Sequence, residues 1–531
     1  MYSHLIRGAR VMDGSGAPPS TADVAVCGGL IAAVGSGRGP AETEIDAGGL
    51  VLAPGFIDIH GHSDMTLFRH PLLESKVFQG VTTEVTGNCG LSPFPVAPVD
   101  ESTLGDYLRM HDFLLPAQGF LWSDFASYAD FVDSIGLAIN VAPLCGHAPL
   151  RAAAMGMDDR PATPAELARM NRLLREALRQ GAWGMSTGLI YPPGSYADTV
   201  ELVALSRTLR EVDAPYASHI RGEGEGIASA LDEACAVARG SGARVQVSHL
   251  KAMGRGNRGR GGELLAKLEA ARASGLRISA DQYPYAASGT CLSAMIPQWA
   301  HDGGVARLLE RLREPRLRER LLPEIREAID RREGAGGIMI ANCRSPENRR
   351  YSGSTLDQVA AGLGCTAEEA VIRLVLEEDA AVGAIFFSMA EEDVESILAD
   401  PRVAVGSDGH GLCAEGQVEA THPRSYGTYP RVLGRYVRER KVLSLETAVH
   451  KMTGLPAAIL GFTDRGLIRE GYAADLVLFD PATVADLSTW TDPHRYSTGI
   501  VHLLVGGVAV VRDGRLTGRR PGRVLRRTPK P

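Results

Sequence analysis

Apolar and polar positions alternate in short runs at both ends of the chain and follow a different rhythm between them. Over the first fifty residues, HLIRGARVMDG, ADVAVCGGLIAAVG and TEIDAGGLVLAPG alternate with a period near two and break at Gly and Pro. That pattern predicts short strands joined by tight turns. ADLVLFD and GIVHLLVGGVAVVRDGRL repeat the habit near the other end. The two stretches together predict one small β domain, a β-sandwich drawn from residues 1–53 and 467–531.

Between them, in residues 54–466, apolar runs alternate with amphipathic stretches such as PAELARMNRLLREALRQG, the signature of parallel βαβ units in an α/β protein. The strand candidates are GFIDIH, VTTEVTG, LAINVAP, AWGMSTG, PYASHI, RVQVSHL, RISADQYP and RVAVGSDG. Eight such strands predict a (β/α)₈, TIM-like barrel. Two further candidates, AVGAIFF and GIMIAN, exceed that count. The stretch from about 287 to 350 is also long for a single connection, which predicts an insertion there.

Composition narrows the functional classes. A chain of 531 residues, 44% of them hydrophobic, can bury one large catalytic-sized domain and a smaller one. The net charge of -7, with Lys and Arg spread along the sequence, argues against nucleic acid as a partner. Only GRRPGRVLRR near the C-terminus is locally basic, and it reads as a frayed, solvated tail. No apolar stretch reaches the roughly 18 residues that span a bilayer, and the N-terminus lacks the apolar core of a signal peptide, so the expected location is cytoplasmic. Eight cysteines without CxxC spacing fit a reducing compartment.

The candidate chemistry sits where predicted strands end. His60, His62, Cys89, His219, His249 and Asp408 each lie at or just past the C-terminal end of one. In a parallel barrel those ends meet at one face, where catalytic groups are placed. A single histidine after a strand is ordinarily a hydrogen-bonded structural residue, but six such groups together predict a metal site. Imidazole nitrogen, thiolate sulfur and carboxylate oxygen are the donors of zinc, and side chains two apart at a strand end point the same way, so His60 and His62 can grip one ion. Asp58, on the same face, is positioned to orient one of the histidines.

Two look-alike motifs lead elsewhere. Gly184-Met185-Ser186-Thr187-Gly188 matches the G-x-S-x-G elbow, but that elbow must open a helix, and LIYPPGSYAD follows. Ser186 therefore reads as a pocket-lining or structural residue. Gly254-Arg255-Gly256-Asn257-Arg258-Gly259 has the dinucleotide spacing, with Asp281 beyond it. His249 and Lys251 occupy the place of the tight turn, however, so the segment reads as an arginine-rich lid.

The motifs PGFIDIHGHSD, EVTGNCGLSP, YASHIRGEG, VSHLK, DQYPY, GSDG and HPRSYGTYPRVLG, in that order, resemble those of the D-aminoacylases, the N-acyl-D-amino-acid deacylases of the amidohydrolase superfamily. The likeness runs through nearly the whole chain; HxH marks only the superfamily, whereas GNCG with HPRxxGTxPRVLG is far more specific. It implies a zinc held tightly by Cys89, His219 and His249, with His60, His62 and Asp408 forming a second, weaker metal position. Many relatives in the superfamily bridge two metals with a carboxylated lysine; no lysine lies near AWGMSTG, which is consistent with Cys89 in that role. The likeness also implies that Arg424, Lys251 and Tyr283 hold the substrate α-carboxylate. Arg424 offers the planar fork that suits such pairing. Ser288-Gly289-Thr290 replaces the family's Gly-Ser-Thr, displacing the expected Ser288 hydroxyl by one residue.

The expected reaction is zinc-dependent hydrolysis of the amide of an N-acyl-D-amino acid, a small-molecule substrate, to a carboxylate and a free D-amino acid. Zinc acidifies water toward a pKa of roughly 7 and polarises the carbonyl, and Asp408 is the general base and acid. The preference for the D form rests on the resemblance alone. A cyclic amide or imide hydrolase of the hydantoinase or dihydroorotase kind is the alternative, and a non-catalytic scaffold is a third reading, against which the six intact candidate ligands speak. The loop between Asp408 and Arg424 is longer than the family pattern, which leaves the acyl and side-chain preference open; His410 and Cys413 within it read as loop residues.

Overall fold

All eight strand candidates of the middle region form strands in the computed structural model, which describes residues 1–36, 39–96, 101–111, 119–417 and 419–528. They are Phe56–Asp58, Val81–Glu84, Asn140–Val141 with Cys145–Gly146, Met185–Gly188, Pro215–His219, Arg244–Val247, Ile278–Gln282 and Val403–Val405. Neighbours pair in parallel in that order. Pro143, which has no N–H to give, divides the third strand into two pieces. Ala142 and Leu144 still donate to Glu84 and Thr86 at 2.8 and 2.9 Å, and Cys145 donates to Gly184 on the other side. The last strand meets the first through the Asp408 amide on the His60 carbonyl at 2.7 Å and the His62 amide on the Gly409 carbonyl at 3.0 Å.

The connecting helices follow from local sequence. Pro164–Gln180 starts at a capping box in which Thr163 and Glu166 satisfy each other's amides, and it stops at Gly181 in the left-handed region. Met170, Leu174, Ala177 and Leu178 recur at helical spacing and form its buried stripe.

The two surplus strand candidates lie outside the parallel run. Ile338–Asn342 and Gly383–Phe386 build an antiparallel sheet with Ser288–Cys291, and Gly383–Phe386 is its central strand. The strand that holds this sheet together comes last in the sequence and lies beyond residue 350, the far bound expected for an insertion.

The terminal segments pair through Leu476–Phe479, which runs antiparallel to Val51–Pro54. The strands are hydrogen-bonded as one nine-stranded sheet. Its long strand Tyr2–Val11 is bulged between Ile6 and Ala9; the first part pairs with Ala41–Asp46 and the end with Val51 and Leu52. That branching lets one sheet wrap Ile6, Val24, Leu52, Leu476 and Leu504 into a core of its own.

The basic tail is not frayed. Gly522 and Leu525 donate to Leu137 and Val141 at 2.7 Å each, Arg527 donates to Gly181 at 2.8 Å, and the Trp183 indole donates to the Leu525 carbonyl at 2.6 Å. Val524 and Leu525 are buried, at about 1.5–3 kcal/mol for each such side chain. Two apolar residues within the basic run are what anchor it. All eight cysteines are free. Among the described residues no helix is long and apolar enough to cross a membrane.

Candidate metal centre

Tight turns at the strand ends aim the candidate ligands at one another. Cys89 sits at φ +52°, His249 at +35° and Asp408 at +51°, three of the ten non-glycine residues in the left-handed region among the described residues. Such backbone costs about 1–3 kcal/mol per residue and persists where its surroundings over-determine it. For Cys89 the surroundings are Ser186, whose hydroxyl donates to the Gly87 carbonyl and accepts from the Gly90 amide at 2.9 Å. Ser186 thus shapes the cysteine turn. A Cβ on Gly90 would lie 2.7 Å from the Gly188 nitrogen, and one on Gly61 would lie 1.9 Å from Glu84 Oε1, so neither GNCG nor HGH tolerates a side chain there.

Cys89 Sγ lies 3.4 Å from His60 Nε2, 3.6 Å from His219 Nδ1 and 3.5 Å from His249 Nε2, all buried. Asp408 Oδ1 lies 3.0 Å from His62 Nε2 and 3.5 Å from His60 Nε2. Donor atoms of His60, Cys89, His249 and Asp408 fall within 4.8 Å of one another, as do those of His219, Glu223 and His249. His62 reaches the first group through Asp408. A thiolate at about 2.3 Å and an imidazole at about 2.0 Å from a tetrahedral zinc stand about 3.5 Å apart. The three sulfur–nitrogen separations match that edge, so these residues fit a zinc ion. Burial alone would push the Cys89 thiol up, but the His60 charge and hydrogen bonds from His219, His249 and His60 hold it well below an ordinary thiol. A thiolate is the form that ligates.

Acids behind the histidines set which nitrogen faces the cluster. His249 Nδ1 is 2.9 Å from Glu223 Oε1, which leaves Nε2 directed at Cys89 and, at 2.9 Å, at His219 Nδ1. His60 Nδ1 is 3.3 Å from Asp281 Oδ1, which also accepts from the His249 amide at 2.9 Å. This fixing of the outer nitrogen is the usual support of metal-binding imidazoles.

Asp58 meets His60 at the backbone amide, 3.3 Å from its Oδ1, and not at the imidazole. Its carboxylate accepts from Lys76 Nζ at 2.6 Å and from the Ser407 hydroxyl and amide at 2.6 and 2.9 Å. Lys76, fully buried, also reaches Ser407 Oγ at 2.8 Å and the Gly409 carbonyl at 2.9 Å. A cation bound to the residues on either side of Asp408 fixes its backbone. Sequence reasoning missed Lys76 and Glu223. Glu223 stands four residues after His219, and that spacing was its only signal.

The substrate-side residues line one cavity of about 140 Å³ with His62, Cys89, His219, His249 and Asp408: Lys251, Tyr283, Ser288 and Arg424 are all in its wall. Arg424 Nη1 is 2.7 Å from Asp408 Oδ2, and its Nη2 donates to the Gly289 carbonyl at 3.1 Å. Burial would raise the Asp408 carboxyl, but Arg424 and the histidines hold it well below the usual carboxylate range. Lys251 Nζ pairs with Glu223 and lies 2.7 Å from His249 Nδ1. Both cations stand over the ring of the buried Tyr283, at 5.4 Å for Lys251 and 4.9 Å for Arg424. His410 also lines the cavity, its Nδ1 2.9 Å from the His62 carbonyl. Cys413 lies apart, with Sγ 3.7 Å from the Tyr496 hydroxyl. In the glycine-rich segment, Arg255 and Arg258 both pair with Glu333, and residues 254–257 line a neighbouring cavity of about 780 Å³.

An α/β scaffold of parallel strands with a His, Cys and Asp cluster at their C-terminal ends describes one class of protein, and the sequence as a whole agrees. Residues 43–511 match the amidohydrolase family, and the chain belongs to that family. Among its relatives, the N-acyl-D-aspartate deacylase of Alcaligenes xylosoxydans xylosoxydans is 42% identical, over 98% of this chain and 94% of that one. The D-aminoacylase of the same organism is 40% identical over 99% and 98%. The crystal structure of the N-acyl-D-glutamate deacylase from Bordetella bronchiseptica, complexed with zinc and a phosphonate mimic of the tetrahedral intermediate, superposes with a TM-score of 0.83 at 38% identity, covering 99% of both chains.

Proposed function

We propose that the protein hydrolyses the amide bond of N-acyl-D-amino acids with zinc as cofactor, releasing a carboxylic acid and a D-amino acid. The observation that carries this reading is the placement of Cys89 Sγ at 3.4–3.6 Å from three imidazole nitrogens beside the Asp408–Arg424 pair. The scaffold is a (β/α)₈ barrel, whose eight strands close through the Asp408–His60 and His62–Gly409 hydrogen bonds, and the nine-stranded terminal sheet is a second, smaller domain.

Cys89, His219 and His249 hold the tight zinc, and His60, His62 and Asp408 the second position. Bound there, zinc supplies Lewis acidity to the scissile carbonyl and to an attacking water. Asp408 Oδ1 takes the proton of that water and passes it to the leaving nitrogen, a transfer for which its ionised state at neutral pH equips it. Arg424, Lys251 and Tyr283 converge on the α-carboxylate, and Ser288 closes that side. The decisive assay offers the zinc-loaded protein matched N-acetyl-D- and N-acetyl-L-amino acids, a hydantoin and dihydroorotate, with metal content measured alongside. Amine release from the D series is the expected outcome; turnover of the rings alone would overturn the proposal.

A further inference from the structure

The lysines and arginines around the catalytic cavity and its larger neighbour are, but for one, paired with carboxylates. The two share Met110, Ile190, Tyr191, Glu223, Met253 and Arg332 in their walls. Their combined walls carry six lysines and arginines. Lys251 pairs with Glu223, Arg424 with Asp408, Arg221 with Glu233, Arg255 with Glu333, and Arg331 with Glu327. Arg332 has no carboxylate within 4 Å among the described residues. Its contacts are the Ala328 carbonyl at 3.3 Å and the face of Phe386 at 5.5 Å. These hold the guanidinium at the junction of the two cavities without neutralising it.

A guanidinium kept partly out of water without an anion forgoes the charge-assisted, two-pronged bond that it forms best. Resting on the deacylase reading above, we infer that Arg332 receives a second carboxylate of the substrate, beyond the α-carboxylate taken by Arg424 and Lys251. The preferred substrates are therefore dianionic N-acyl-D-amino acids. The second carboxylate belongs either to an acidic amino-acid side chain or to an acyl group made from a dicarboxylic acid. Similarity does not choose between neutral and acidic substrates, since relatives named for D-aspartate and for D-amino acids in general stand at 42% and 40% identity.

The test compares kcat/KM within two near-isosteric pairs: N-acetyl-D-glutamate against N-acetyl-D-glutamine, and N-succinyl-D-leucine against N-butyryl-D-leucine. A hydrogen bond to a charged group contributes about 1.5–3 kcal/mol, or roughly 10- to 150-fold. The dianionic member of one pair should lead by that margin, and the pair that shows it locates the second carboxylate. Arg332→Gln should erase the margin while neutral substrates stay within about threefold, which also controls for folding; Arg332→Lys should keep part of it. Equal rates within both pairs, or equal slowing of charged and neutral members by Arg332→Gln, would overturn the inference. Calorimetric binding of the same four compounds separates it from the deacylase reading. A protein that turns over none of them refutes that reading, whereas tighter binding of a dianion that Arg332→Gln abolishes would still uphold the second-carboxylate site, and its absence would refute that too.

Discussion

The two ends of the parallel strands are built on opposite terms. At the C-terminal ends, buried polar groups crowd together: His60, Cys89, His249 and Asp408 present lone pairs to one another, the last three on backbone held in the left-handed region. At the other end, Trp183, Phe462 and Leu525 pack as an apolar cluster, with Trp183 and Phe462 rings 4.3 Å apart, and the tail satisfies its backbone against the strand starts. The same strands thus spend stability at one end on a site that attracts a cation and recover it at the other through ordinary burial. Damage to the first end should appear in metal content and rate, and damage to the second in stability alone.

The largest break in that comparison is Cys89→Ala. It removes the sulfur on which three imidazoles converge, and both zinc content and activity should be lost. Asp408→Ala is its counterpart: zinc should remain while turnover falls by the 10²–10⁴-fold that a general base contributes. Mass spectrometry with single-turnover rates reads both, and full activity in either variant ends the mechanism. Next is Lys76→Met, which leaves Asp58 buried without its cation. Breaking a buried pair costs about 3–5 kcal/mol, and because Lys76 grips both neighbours of Asp408, kcat should fall along with denaturant stability. At the opposite end, Leu525→Ala should cost about 2–5 kcal/mol of unfolding free energy yet leave zinc content and kcat within about twofold. A matching fall in kcat would show that the two ends are not independent.

The smallest effect is a pH slope. Glu201 accepts from His147 Nε2 at 2.7 Å and from Arg151 Nη1 at 2.6 Å. Burial would raise its carboxyl, but the His147 hydrogen bond and the charges of His147 and Arg151 bring it below the ordinary 4.5. A carboxyl lowered in the folded state adds stability above its unfolded value and loses it as pH falls through the folded one. The stability gap between the wild type and Glu201→Gln should therefore be full at pH 7 and shrink below about pH 4.5. A gap that is constant from pH 7 to 3 would assign the contact no ionic part.

The strands and the candidate ligands were legible because each His, Cys or Asp directly follows an apolar run, and parallel strands carry such positions to one face. The supporting groups were not, because their partners are distant in sequence. Asp58 looked like an imidazole partner from its spacing, yet it meets only the His60 amide and pairs with Lys76, while Asp281 reaches the His60 ring from another strand. Lys76 resembles any surface lysine until the fold buries it. The separate three-stranded sheet was hidden because Gly383–Phe386 reads like one more parallel strand; only its antiparallel partners reveal otherwise. The docked tail escaped notice because Val524 and Leu525 stand among arginines, and average composition conceals a two-residue anchor.

The seam between Val51–Pro54 and Leu476–Phe479 also bears on how the protein is made. The second strand is translated more than four hundred residues after the first. At roughly 5–20 residues per second, that is a wait of tens of seconds on the ribosome. Throughout it the wholly apolar Val51–Pro54 edge stands open, the kind of unpaired strand that recruits chaperones or seeds aggregation.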